Sequence, residues 1–327
     1  MTTTREKFRG CILGLACGDA IGYPAEEIHT MEEIRARFGP DGVTGLIGEG
    51  LYSDDTQMAI CVSEALLGLA PEAATPALYL DRFMASLCHN LVGWYDKQSD
   101  PKWKRSPSTT SLAGCQRLAG GTSWEMSGSS SSKGCGSVVR AIPVGLFFDD
   151  IGSVLEFAKE SSRPTHGHLA PMCAAACGAL MVNLAKRDEP TGTWAEQIAT
   201  VTSGVCDEMT RLVSKAVDLA VSETPPEKVM TGRNLGEGWL GHEAVASALY
   251  FCLRSPNDYR KAVLMAANTG GNSDGLAALT GGILGARLGI RAIPEEWASK
   301  VEGSKELFAL ADRLCDAAGE RLTPALG

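Results

Sequence analysis

The chain of 327 residues is 44% hydrophobic and 21% charged, enough apolar material for a core that needs neither metal nor disulfides merely to hold it together. A net charge of -9 and a pI near 5.2 exclude an extended Lys/Arg surface for nucleic acid. They do not exclude a small anionic ligand, because backbone N–H groups bind phosphate without basic side chains.

The N-terminal MTTTREKFRG lacks the apolar core of a secretory signal, and the longest apolar stretch read from the sequence, Cys11 to Cys17, is too short to span a bilayer. Eleven cysteines, none spaced C-x-x-C, read as small buried hydrophobes in a reducing compartment. The expectation is a cytoplasmic protein with no membrane partner. The first helix carries Gly10, Gly14, Gly18 and Gly22, every fourth residue. Each glycine costs a helix about 1 kcal/mol relative to alanine, so four on one stripe predict close approach by another helix or a ligand, helix packing being the commoner cause. Pro24 ends this helix and leaves Glu26 in the next loop, where a carboxylate acts as a general acid or base or is simply solvated.

Ser53-Asp54-Asp55-Thr56 precedes an amphipathic stripe of Met58, Cys61, Val62, Ala65, Leu66 and Leu69. Taken alone, these polar residues read as a helix cap with acids at the positive end of the dipole. Further helical periods cover roughly 76–90, 168–186, 207–221, 240–254, 258–268, 274–289 and 305–317, and strand alternation is scarce. The predicted fold class is all-α, a compact multi-helix domain over 1–327. The stretch from about 98 to 136, with SDPKWKRSPSTTS and SGSSSSKGCGS, reads as a long loop, either plain surface or functional. It ends in Lys133-Gly134-Cys135-Gly136-Ser137, a glycine-rich turn feeding a helix, which can aim N–H groups at a phosphate but lacks the G-K-[ST] ending of a nucleotide P-loop.

Thr165-His166-Gly167-His168 places two histidines at i and i+2 with no third metal partner, which favours a polar loop contact. Asn272-Ser273-Asp274, between Gly270-Gly271 and Gly275, opens the last glycine-rich helix, with Gly281, Gly282 and Gly285. If this oxygen-rich helix start converges with Ser53 to Asp55, the site is oxygen-only and suits Mg²⁺, Mn²⁺ or Ca²⁺ rather than zinc.

Taken in order, RGCILGLACGDAIGYPAE (9–26), YSDDTQMAICVSEALL (52–67), SKGCGSVVRAIPVGL (132–146), THGHLAP (165–171), LGEGWLGHEAVASALYFCL (235–253) and AANTGGNSDGLAALTGGILGARLG (266–289) resemble the ADP-ribosylglycohydrolase family. The resemblance implies an all-α fold and a binuclear Mg²⁺ or Mn²⁺ centre in a cleft that receives ADP-ribose or an ADP-ribosylated substrate. By position it implies metal ligands at Ser53, Asp54, Asp55 and Asp274, with Asn272 matching less well. It implies catalytic roles for Glu26 and Asp55. It places pyrophosphate on Gly134, Cys135, Gly136 and Ser137, a ligand contact at His166, and the ADP-ribose pocket wall at Gly238 and Trp239. One departure stands out. The family usually has Asp-x-Asp followed by Ser or Thr at the second cluster, whereas this chain has Asn272-Ser273-Asp274-Gly275. An amide replaces one carboxylate and a hydroxyl is missing, so the ion that depends on Asn272 is expected to bind weakly or not at all. Three readings follow: a hydrolase that releases ADP-ribose through cleavage of an N- or O-glycosidic bond, a binding or structural member with lost turnover, and a metal-dependent nucleotide phosphohydrolase.

Overall fold

The computed structural model describes residues 2–69 and 76–321. Among the described residues there are seventeen α-helices, four short 3-10 turns and no strand. In chain order they are α1 (Thr4–Gly22), α2 (Met31–Phe38), α3 (Asp54–Leu67), α4 (Pro76–Lys97), α5 (Thr109–Ala119), α6 (Trp124–Ser127), α7 (Ile142–Phe147), α8 (Ile151–Ser162), α9 (Leu169–Lys186), α10 (Trp194–Thr202), α11 (Asp207–Val221), α12 (Pro226–Val229), α13 (Gly241–Arg254), α14 (Tyr259–Ala267), α15 (Ser273–Leu288), α16 (Glu295–Ala298) and α17 (Ser304–Arg321). The all-α expectation and the seven helices read from periodicity are all present. The helix expected over 76–90 runs on to Lys97.

The glycine stripe of α1 meets α15 backbone to backbone. A Cβ added at Gly10, Gly14, Gly18 or Gly22 would lie 2.3, 2.4, 2.1 or 2.3 Å from the carbonyl oxygen of Gly285, Gly281, Ala277 or Ser273 respectively. Residue numbers rise along one helix as they fall along the other, so the pair is antiparallel. Gly281 and Gly285 repay the approach, with added Cβ atoms 2.2 Å from the Gly14 oxygen and 1.9 Å from the Gly10 oxygen. The sequence left the partner open between helix and ligand; it is a helix. Tyr259 of α14 donates its hydroxyl to the Gly14 carbonyl at 2.8 Å and closes the edge of this contact.

Helix α9 is long and apolar enough by length and composition to cross a membrane, more so than the Cys11–Cys17 stretch, yet 89% of it is buried inside the fold. Its alanines and small thiols, Cys173 and Cys177 among them, pack as core. All eleven cysteines are free thiols.

The 98–136 stretch is not one long loop. Ser108 caps α5 by accepting from the Ser111 N–H at 3.1 Å, and Arg117 of α5 donates to the Ser127 carbonyl at 2.6 Å. Its remaining segments are sewn into the molecule by isolated bridges, Ser129 to His166 and Gly134 to Leu240.

Gly14→Ala tests the central contact. In an open helix this change stabilises by about 1 kcal/mol. Here the new methyl meets a backbone oxygen that cannot swing aside, so a net loss of roughly 2 kcal/mol or more is expected. Gly93→Ala on α4, where nothing lies within 4 Å of the added Cβ, is the control and should stabilise. Urea midpoints that rise for both variants would contradict the packing described.

Candidate active site

Three helix ends meet where α1 stops, and the meeting follows from the glycine contact. Gly22, the last residue of α1, lies against Ser273, the first of α15, and Ser273 donates its hydroxyl to the Gly22 carbonyl at 3.2 Å. One turn back on α1, the fully buried Asp19 reaches α3. Its carboxylate accepts from the Ser53 N–H at 2.9 Å, the Thr56 N–H at 3.0 Å and the Thr56 hydroxyl. Asp19 therefore caps α3 from another helix. Its only mark in the sequence is a lone carboxylate among the apolar residues and glycines from Gly10 to Gly22, which signals a buried acid but not what it bonds.

This arrangement gathers the acids expected from the sequence. Ser53 accepts from the Asp55 N–H at 3.2 Å, and its side chain lies close to the Asp274 carboxylate. The Ser108 backbone lies close to the Asp54 carboxylate, and the Asp54 N–H donates to the Arg105 carbonyl at 3.0 Å. Arg105 is held in turn by the Tyr52 carbonyl and by Glu302, each at 3.3 Å. Glu26 follows the 3-10 turn Tyr23–Ala25 and lies close to the Ser106 side chain. A cleft of about 580 Å³, bordered by Tyr23, Glu26, Leu51 and Ser106, opens beside it. The Ser106 to Ser108 segment thus contacts two candidate acids, a role the sequence did not disclose.

Burial and mutual repulsion raise the proton affinity of the whole group. Burial first, then Asp274 and Asp54, push Glu26 up to about 9. Burial, then Asp19, push Asp274 up to about 7. Asp54 and Asp55 rise well above the usual carboxylate range, both by burial first, then Asp54 by the charge of Asp274 and Asp55 by the charge of Asp54. Like charges held this close in low dielectric call for a counter-charge.

The other wall is built from the glycine loop. The Cys135 N–H donates to the Trp239 carbonyl and the Gly241 N–H to the Lys133 carbonyl, both at 3.0 Å. These bonds join the loop to the Gly238-Trp239 segment. The Gly136 and Ser137 N–H groups meet no acceptor among the described residues, which leaves two donors for an anion. The loop feeds a helix, as its sequence suggests, but a short one. It runs into a 3-10 turn, Val139–Ala141, and the six-residue α7. Loop amides, rather than a long helix dipole, are what this wall presents. The Ser137 hydroxyl faces inward, 2.7 Å from the Ser162 hydroxyl.

His166 is buried beneath the loop, and Cβ atoms at Gly134 and Gly136 would lie 3.6 and 3.4 Å from its ring. Its Nδ1 pairs with the Thr165 hydroxyl at 2.8 Å. Burial, then Arg140, push it down to about 3, so the imidazole is neutral. His168 turns elsewhere and caps α9 through the Ala170 N–H at 3.0 Å.

Acid wall and glycine wall meet at Asn272. The positive-φ pair Gly270-Gly271 (77° and 80°) turns the chain into α15, and the Asn272 amide donates to the Gly238 carbonyl at 3.0 Å and the Cys135 sulfur at 3.4 Å. A Cβ at Gly275 would sit 2.6 Å from that amide nitrogen.

The donor set fits a hard divalent ion in kind: carboxylates, a serine hydroxyl and an amide, with no His or Cys among them. Asp274 Oδ1 is buried with no hydrogen-bond partner, and such an atom ordinarily has one. In the form described, no three His, Cys, Asp or Glu side chains among the described residues close round a single point. The acids share a chamber without being drawn onto a common centre.

A family model described as ADP-ribosylglycohydrolase matches residues 1–323. The ADP-ribosylarginine hydrolase Tri1 of Serratia proteamaculans is 25% identical over 94% of this chain and 79% of its own. The human ADP-ribosylhydrolase ARH3 is 24% identical over 94% of this chain and 93% of its own. A solved structure described as an ADP-ribosylglycohydrolase-related protein complex has the same fold, with a TM-score of 0.72 at 23% identity, over 97% of this chain and all of that one. With its acid-lined chamber, its glycine loop and a family match over nearly its whole length, the chain belongs to the ADP-ribosylglycohydrolase family and is a hydrolase of that type.

Proposed function

We propose that this hydrolase depends on Mg²⁺ or Mn²⁺ and releases ADP-ribose by cleaving the N- or O-glycosidic bond at C1 of the distal ribose. One observation carries the reading: the oxygen-only acid wall and the glycine loop, with its two free N–H groups, are joined into one site through Asn272, Cys135 and Gly238. Ser53, Asp54, Asp55 and Asp274 would hold the ion, with Asn272 a weaker contributor. Bound there, the ion supplies Lewis acidity and a template for the ribose hydroxyls.

The chain's own residues do the rest. Gly134 to Ser137 receive the diphosphate through backbone N–H groups, with neutral His166 beneath and Gly238-Trp239 at the side. That remote binding energy orients the ribose at the acid wall. Water adds at C1 as the bond to the departing N or O breaks through an oxocarbenium-like transition state, and Glu26 or Asp55 takes the water's proton, the departing atom leaving protonated. The free thiols support a reducing, cytoplasmic setting.

The second reading, an ADP-ribose-binding member with impaired turnover, is favoured by the Asn272 amide, whose N–H groups are spent on Gly238 and Cys135, and by the missing hydroxyl at Gly275.

Ligand binding tests the site as a whole. ADP-ribose should raise Tm, and more so with Mg²⁺ present, because a ligand that binds only the native state stabilises it by mass action. AMP, without the distal ribose, should do less; an equal shift would remove the distal-ribose site.

Turnover tests the acids. In an assay of ADP-ribose released from arginine-, serine-, nucleic-acid- and small-molecule-linked substrates, Asp54→Ala and Asp55→Ala should abolish metal-dependent release while the helical circular dichroism is kept. Glu26→Ala should cut the rate by about a hundredfold, the scale of a lost acid or base, with a smaller effect on metal affinity. Unchanged rates in all three would refute the mechanism.

Calorimetry with Mn²⁺ addresses Asn272. The unmutated protein should show one firm ion and a second that is weak or absent. Asn272→Asp with Gly275→Thr should tighten the weak one, since affinity follows ligand charge and number. Two equally tight ions without mutation would show that other residues supply the missing oxygens.

A further inference from the structure

Arg140 stands directly behind the glycine loop with none of its surface exposed. It forms no ion pair among the described residues. Nη2 donates to the Ser161 carbonyl at 2.7 Å and the Ser162 carbonyl at 3.2 Å, Nη1 lies 3.9 Å from the Met58 sulfur, and Nε has no partner. Burial lowers its pKa only to about 10, so it stays charged at neutral pH. A buried cation without a carboxylate partner is costly and calls for a reason.

Capping α8 accounts for Nη2 alone, since Ser161 and Ser162 end that helix. What lies beyond Ser162 leads into the site. The Ser162 hydroxyl donates to the His166 carbonyl at 3.1 Å and lies 2.7 Å from the Ser137 hydroxyl, and the Ser162 carbonyl accepts from the His166 N–H at 2.9 Å. The end of α8 therefore fixes both the last residue of the glycine loop and the histidine under it. The loop has little positive charge of its own. Lys133 is exposed and pairs with Glu208 at 3.6 Å, and only a six-residue helix follows. Opposite stand the acids, and Asp55 lies within electrostatic reach of Arg140.

We propose that Arg140 is a positioning residue for the ligand's diphosphate: its guanidinium locks the end of α8, sets Ser137 and His166 through Ser162, and supplies beneath the loop the positive charge that the loop lacks. This rests on the ADP-ribose reading of the site. It adds a cation that touches no ligand and works through the loop's donors, at a place where a dianion must settle beside a wall of carboxylates.

The test combines a charge-removing variant with a relay-breaking one. In Arg140→Met, affinity for ADP-ribose and for inorganic diphosphate should fall by about tenfold, the scale of one charge-assisted contact, while adenosine, which carries no phosphate, keeps its affinity. Arg140→Lys should recover part of the loss. Ser162→Ala keeps the charge and breaks the relay, and should weaken ADP-ribose by about threefold while raising amide exchange at 134–137 and 165–167. If Arg140→Met does not fold, Ser162→Ala decides alone. Diphosphate affinity within twofold of the parent in folded Arg140→Met, or unchanged binding and exchange in Ser162→Ala, overturns the proposal. An equal loss for adenosine also overturns it, because that is general loosening. A parent that binds diphosphate but not ADP-ribose sinks the ADP-ribose reading while leaving the Arg140 comparison readable through diphosphate and exchange. A parent that binds neither sinks both.

Discussion

The contact between α1 and α15 is the constraint from which the site follows. Two helices whose backbones touch cannot slide or roll without driving Cα atoms into carbonyl oxygens, and here four glycines of α1 set the register. That register puts Gly22 against Ser273 and therefore brings the end of one acid-bearing helix to the start of another. Asp19 then ties α3 to the same point. Burial alone would push its carboxylate toward protonation, and the Thr56 and Ser53 donors work against that. A buried acid is tolerable when its lone pairs are used, and Asp19 spends them on the N–H groups that a helix start leaves unpaired. The three helix ends meet because of packing and capping, before any ligand is considered.

The charge pattern follows from that geometry. The N-termini of α3 and α15 both point at the acids, and their partial positive charge offsets some of the repulsion among Asp54, Asp55 and Asp274. It does not offset all of it, since these acids remain shifted upward. On the facing wall the loop amides and Arg140 are positive or neutral, and His166 is held neutral. The chamber is polarised, acidic on one wall and amide-rich on the other.

Parts of this were legible in the sequence because they repeat or carry local signals. The i, i+4 glycines announced close packing, and Ser53-Asp54-Asp55 announced a helix start. That the two oxygen-rich starts share a chamber was legible only through the resemblance, since α3 and α15 are two hundred residues apart in the chain. Asp19 was illegible for the opposite reason. Its partners, Ser53 and Thr56, lie 34 and 37 residues on, and nothing local marks a carboxylate as a cap for another helix. The segment over 98–136 was read by its Ser, Gly and Pro content, which hid α5 and the Ser108 cap that starts it. Composition describes what a segment lacks for forming a core, whereas its fixed shape here comes from bonds to Thr165, Trp239 and Asp54 contributed by distant segments.

Asn272 and Gly275 looked like two separate departures from the family pattern, and the structure makes them one. An aspartate at 272 would have no N–H to offer the Gly238 carbonyl. The amide makes that bond and reaches the Cys135 sulfur, tying the start of α15 to the glycine loop. It turns back over Gly275 to do so, and a side chain there would occupy the place of its nitrogen. The lost hydroxyl at 275 is therefore the space that the amide at 272 uses. What the pair gives up in negative charge it returns as a neutral clasp between the two walls, and that exchange ties the start of α15 to the shape of the loop that faces it.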